Sequence, residues 1–141
     1  MPTRSAEAKW HGNLIEGRGA IKLGSGAFEG PYDWRGRSAD GAGTNPEELI
    51  AAAHAGCYSM ALSHELSTAG TPPKSIHTSA QVTLEQVDNG FAITKIHLVT
   101  EAEIPGIDAD AFQKYAESAK KNCPVSKVLA GAEITLQASL I

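Results

Sequence analysis

The chain reads as an α+β fold, and three features predict it. The first forty residues are strand-like segments joined by glycine turns, and a long capped helix, apolar on every side, follows. A hairpin then leads into two helices and one cleanly alternating last strand.

Taken in order, Lys9–His11 and Ala20–Leu23 are short strands, separated by the turn-forming Gly17-Arg18-Gly19. Phe28–Trp34 is predicted as a third strand. Arg35–Gly43 reads as a polar, glycine-rich loop, and long loops in compact domains often carry function. A helix start follows. Asn45 suits the N-cap, Pro46 the first helical position and Glu48 the third, which is the capping-box arrangement. Glu47 and Glu48 also complement the positive end of the helix dipole. From Leu49 to Leu62 apolar or small residues occur all round the cylinder, which predicts a central, buried helix. It should end near Ala69-Gly70, with Pro72-Pro73 blocking continuation.

Beyond it Ala80, Val82 and Leu84 alternate with polar residues, Asp88-Asn89-Gly90 supplies a turn, and Phe91–Ile104 forms a long second strand. The apolar phase changes within that strand, from Phe91 and Ile93 to Ile96 and Leu98, so a bulge is expected near Thr94-Lys95. Pro105-Gly106 stops the strand, and Asp108 caps a helix running to about Asn122. A short helix spans Pro124–Leu129, and the last strand alternates Ile134, Leu136, Ala138 and Leu140 with polar residues. Residues 1–141 are expected to form one domain.

A formal charge of −4 leaves no basic surplus to neutralise phosphates, which argues against nucleic acid as a partner. The N-terminal segment has no apolar signal-peptide core, and the apolar helix is too short for a bilayer. The expected compartment is therefore the reducing cytoplasm, with no membrane partner. A stable structural disulfide is improbable there, and a transient catalytic one is possible.

That makes the two cysteines decisive. Cys57 lies mid-helix in an apolar run, where a thiol usually packs as a small hydrophobe and burial raises its pKa. Its neighbours at i−4 and i+4 are Ala53 and Ala61, which leave room either for close helix packing or for a substrate. Cys123 precedes Pro124 at a helix start, where free amides and nearby Lys120, Lys121 and Lys127 favour a thiolate. On local chemistry alone Cys123 is the better nucleophile. A metal site is a rival reading, but only His54 and Cys57 are close enough to share an ion, and no Cys-x-x-Cys or His-x-x-x-His spacing occurs. No metal and no cofactor are expected. A second rival is a non-enzymatic, stress-protective dimer that binds a small ligand beside Trp10, Trp34 and Tyr58 while its cysteines merely pack.

Three motifs bear on the choice. Gly43-Thr-Asn-Pro-Glu-Glu-Leu-Ile50, Ala52-Ala-His-Ala-Gly-Cys57-Tyr-Ser-Met60 and Asn122-Cys-Pro-Val-Ser126 resemble the OsmC/Ohr family of osmotically inducible and organic-hydroperoxide-resistance proteins, and the OsmC branch in particular. The resemblance extends to Val87–Ile96 and Pro105–Asp108. It implies an OsmC-like fold in an intertwined homodimer, acting as a thiol-dependent peroxidase on organic hydroperoxides. In that analogy Cys57 is the peroxidatic thiol and Cys123 the resolving one, which inverts the local ranking. Cys57 would become a sulfenic acid, Cys123 would convert it to an intramolecular disulfide, and an external dithiol, of lipoyl type in the Ohr branch, would reduce it.

The family pattern also implies a catalytic Glu and Arg. Glu47 matches the first, and Arg37 matches the second best, with Arg35 and Arg18 as alternatives. Glu47 stands ten residues before Cys57, about 15 Å along a straight helix, so it is expected to act on the Cys57 of a second subunit. Apolar neighbours such as Leu49, Ile50, Met60 and Phe28 predict an oily pocket around the sulfur, and with it a preference for organic peroxides.

Overall fold

Three antiparallel strands open the chain in the order β1 (Ala6–His11), β2 (Arg18–Leu23) and β3 (Glu29–Tyr32). The computed structural model describes residues 1–39 and 41–141, which divide into two compact units, Met1–Leu49 and Ile50–Ile141. In the first unit the expected strands are present and extended by pairing, with Ala6 opposite Leu23 and His11 opposite Arg18. Gly19 is needed at its position: a Cβ there would lie 2.6 Å from the Tyr32 ring and 2.7 Å from that of Trp10. Its absence lets those rings meet at a centroid distance of 5.4 Å, within the usual aromatic range.

The third strand is shorter than predicted, and the expected loop is partly helical. Pro31 lacks an N–H, which suits an edge position. Two residues later Asp33 turns the chain: its Oδ1 accepts from the Gly36 N–H at 2.7 Å and caps α1 (Trp34–Ser38). The loop expectation therefore holds only beyond Ser38, and its Asp40 lies outside the described residues. After α1 the chain returns alongside β3, where the Thr44 N–H donates to Pro31 O at 3.0 Å.

The helix start is as the sequence dictates. Asn45 Oδ1 accepts from the Glu48 N–H at 2.7 Å, and Pro46 begins α2 (Pro46–Thr68). Glu48 does not complete the reciprocal box; its Oε1 takes the Thr44 hydroxyl at 2.9 Å instead. At the far end Gly70 adopts φ +90°, the Gly70 N–H donates to Ser67 O, and the Thr71 N–H donates to Leu66 O. This is a Schellman cap, and only the glycine fits it without strain.

The expectation of burial on every side is corrected. Only the stripe His54, Tyr58, Leu62, Leu66, at successive i+4 positions, is fully buried, while Ala52, Ala53, Gly56 and Met60 face outward. Within the second unit that stripe packs on a sheet of β4 (Ser75–Val87), β5 (Gly90–Glu103) and β6 (Glu133–Leu140). Leu98, Ala102, Ile104, Phe112 and Ala119 complete the core with Tyr58, Leu62 and Leu66, each large side chain contributing about 1.5–3 kcal/mol. A chain of hydroxyls runs through it, from Ser59 to Thr78 at 2.8 Å and from Thr78 to Thr100 at 2.9 Å, so the buried Thr100 hydroxyl is paired.

The hairpin turn at Asp88-Asn89 and the bulge both occur as read. Thr83 faces Lys95 while Leu84 faces Ile93, which leaves Thr94 as the extra residue. Since β6 runs parallel to β5, a crossover must join them, and α3 (Ala109–Asn122) and α4 (Pro124–Val128) supply it. Asp108 Oδ2 caps α3 through the Ala111 N–H at 3.2 Å. Phe112, Ala116 and Ala119 form its buried face.

Candidate active site

In the first unit, α1 brings Arg37 to the second residue of α2. Asn45 Nδ2 donates to Gly36 O at 2.9 Å, tying α1 to the cap of the next helix. Arg37 Nε then donates to Glu47 Oε1 at 2.9 Å, with 36% of the arginine side chain exposed and 9% of the glutamate's. Glu47 Oε2 is buried and has no hydrogen-bond partner among the described residues. A cavity of about 250 Å³ adjoins the arginine, walled by Trp10, Leu14, Tyr32, Trp34 and Pro46, with Arg37 and Asp33 as its charged groups. Trp10 and Trp34 thus line a pocket as one rival reading expected, whereas Tyr58 is wholly buried in the core. Met60, expected beside the sulfur, is 75% exposed and borders a separate open depression with Ser63, His64 and Lys74.

The second unit brings the thiols together. Cys57 and Cys123 are 66 residues apart in sequence and their Sγ atoms are 2.8 Å apart, both sulfurs being free thiols. Cys57 is half-buried and Cys123 fully buried. Burial pushes the Cys57 thiol up, the contact with Cys123 adds to this, and the backbone N–H of Val125 pulls the other way. Cys123 occupies both the C-cap of α3 and the N-cap of α4, as its Pro124 predicted. Of the two sulfurs, Cys57 is the one with an open side.

Two further side chains join this site: His54, which the sequence offers only as a rival metal ligand, and Ser126, which it marks only as the end of a motif. His54 Nε2 lies 2.7 Å from the Ser126 hydroxyl, and both residues are buried. His54 Nδ1 is also buried, with no partner among the described residues, and burial holds the imidazole below its ordinary pKa. The signal was available in the sequence: His54 opens the i+4 stripe that Tyr58, Leu62 and Leu66 continue.

Residues 39–139 match the family model described as OsmC, OsmC-like protein. The chain belongs to the OsmC family. Peroxiredoxin OsmC of Escherichia coli is 50% identical over 138 residues, covering 97% of this chain and 96% of that protein. An organic hydroperoxide resistance protein of Xanthomonas axonopodis pv. citri is 30% identical over 104 residues, which is 70% of this chain and 68% of that one. Among solved structures, an organic hydroperoxide resistance protein from Elizabethkingia anophelis superposes with a TM-score of 0.74 at 26% identity, covering 99% and 96% of the two chains. OhrB of Bacillus subtilis gives 0.69 at 25% identity, covering 97% and 98%. The α+β class and the OsmC-like arrangement of strands and helices expected from the sequence are those of this family. No helix among the described residues is long and apolar enough to cross a membrane.

Proposed function

We propose that this OsmC-family chain is a thiol-dependent peroxidase that reduces organic hydroperoxides to alcohols. The observation that carries the reading is the pair of free thiols held at 2.8 Å by two distant elements, one sulfur accessible and the other buried. The Cys57 thiolate attacks the distal peroxide oxygen, the O–O bond breaks, and the alkoxide takes a proton to leave as alcohol. Cys57 is then a sulfenic acid. Cys123 sulfur attacks it, water departs, and a disulfide remains. An external dithiol, of lipoyl type, restores both thiols by exchange. A reducing cytoplasm is the compartment that fits this cycle.

Arg37 and Glu47 are the charged half of the reading. Glu47 holds Arg37 through Nε, leaving the outer edge of the guanidinium to bind both peroxide oxygens and to favour the thiolate. The apolar cavity beside Arg37 suits the organic part of the substrate. Because burial raises the Cys57 pKa in the single chain, a cation must be brought to it, and we assign that task to a homodimer in which Glu47 and Arg37 serve the Cys57 of the second copy. The outward face of α2, with Ala52, Ala53, Gly56 and Met60, and the unpartnered Glu47 Oε2 support such an interface. We read residues 1–141 as one domain within it.

Counting thiols before and after one equivalent of cumene hydroperoxide tests the reading. Loss of both thiols, abolished by Cys57→Ser, is the expected result. Retention of both in the wild type would instead favour a ligand-binding dimer with packing cysteines. Turnover should also be faster with cumene hydroperoxide than with hydrogen peroxide, and equal rates would remove the pocket argument.

A further inference from the structure

We propose that His54 is a positioning residue for the second thiol: its hydrogen bond to Ser126 fixes the first turn of α4, and with it Cys123, against Cys57. The inference rests on the peroxidase reading above and concerns its disulfide-forming step. His54 stands three residues before Cys57 on α2, and Ser126 three residues after Cys123 on α4, so one hydrogen bond of 2.7 Å runs beside the contact between the sulfurs. The two elements that carry the thiols are thereby linked twice.

The helix needs such a link. At five residues α4 is too short to hold its own shape. Its apolar packing is slight, for Ser126 is its one buried residue and Val128 is 79% exposed. A hydrogen bond in a site closed to water therefore provides much of its anchorage. Packing alone does not account for His54, although its ring is fully buried. Its Nδ1 is buried without a partner among the described residues, a cost that leucine at the same point of the stripe would avoid. The contact that this ring does make is through Nε2, to Ser126. The backbone N–H of Val125, which favours the Cys57 thiolate, lies in the same turn and is held by the same bond.

In the resolving step Cys123 sulfur bonds to Cys57 sulfur, the S–O bond of the sulfenic acid breaks, and the hydroxyl leaves as water with the Cys123 proton. When α4 is loose, Cys123 arrives late and a second peroxide oxidises the sulfenic acid to the irreversible sulfinic acid. His54 thus sets how oxidised Cys57 divides between disulfide and sulfinic acid.

The test is intact-mass analysis of reduced wild type, His54→Leu, Ser126→Ala and His54→Gln after rising doses of cumene hydroperoxide. The readout is the ratio of sulfinic acid to disulfide for a given extent of Cys57 oxidation. We expect that ratio to rise about tenfold in His54→Leu and in Ser126→Ala, as loss of one buried hydrogen bond implies. It should rise no further in the double variant, and should fall back in His54→Gln, whose amide nitrogen reaches Ser126 as Nε2 does. A ratio unchanged in Ser126→Ala, or a glutamine variant no better than leucine, overturns the role of His54. Should His54→Leu fail to fold, Ser126→Ala decides alone. A wild type that loses no thiol at all overturns the peroxidase reading itself, which is a different failure.

Discussion

Replacing Arg37 by methionine keeps the apolar stem and deletes the charge that Glu47 faces. Glu47 is 7% exposed, Oε2 already has no partner among the described residues, and Oε1 would lose its own. Removing one member of a fully buried pair costs roughly 3–5 kcal/mol, whereas exposed pairs contribute about 1 kcal/mol or less. With 36% of its side chain exposed, Arg37 lies between these limits, and about 2 kcal/mol is the expected loss. The reverse deletion is milder. In Glu47→Gln the amide oxygen still accepts from Nε, and the partly exposed guanidinium keeps its contact with water, so the loss should be below about 1 kcal/mol. At a urea slope of about 2 kcal/mol per molar, Arg37→Met lowers the midpoint by about 1 M and Glu47→Gln by less than half as much. Tryptophan fluorescence follows the transition, with every variant at one protein concentration, because a dimer's midpoint depends on it. Equal shifts, or a larger one for Glu47→Gln, would refute the view that Glu47 is the buried member whose charge needs the arginine.

Given one equivalent of peroxide, Cys123→Ser should form no disulfide and leave a Cys57 sulfenic acid that dimedone traps and mass spectrometry detects; continued turnover with dithiol would remove Cys123 from the cycle. Tyr58 donates to Ala116 O at 3.1 Å with its ring fully buried, so Tyr58→Phe should cost about 1 kcal/mol. Burial first, then the charges of Glu117 and Glu65, hold that phenol above its usual pKa. The unfolded chain therefore releases the Tyr58 proton first, and stability should fall as pH rises past about 10. Unfolding midpoints measured across that range should show the fall in the wild type and a shallower one in Tyr58→Phe. Gly70→Ala, at φ +90°, should lower stability by about 1–2 kcal/mol, read from thermal melts.

Local rules carried most of the fold. The Asn45–Glu48 cap, the Gly70 stop, the Asp88-Asn89 turn and the bulged Thr94 each depend on a few adjacent residues, and each was legible. Helix α1 was not, because a five-residue helix with glycine at its centre has no periodicity; its Asp33 cap was the available signal. Reading α2 as buried throughout mistook apolar composition for coverage. A second-unit sheet shields one stripe of it, and what covers the rest is not encoded in a helical wheel. The site was legible in its residue types but not in its contacts. Cys57 with Cys123 and His54 with Ser126 are joined only once the crossover from β5 to β6 folds back over α2. Local chemistry favours a thiolate at Cys123 through the helix terminus, and the burial of that sulfur is a tertiary feature that no local pattern shows.

The 66-residue separation of the thiols has a further consequence. Joining the sulfurs ties a loop of that length in the unfolded chain, and the chain-entropy relation puts the resulting stabilisation at about 4 kcal/mol. The disulfide form of the proposed cycle is then the sturdier of the two. Peroxide that exhausts the thiols also hardens the fold against unfolding while it waits. In that cycle a dithiol would return the chain to a softer state ready to react.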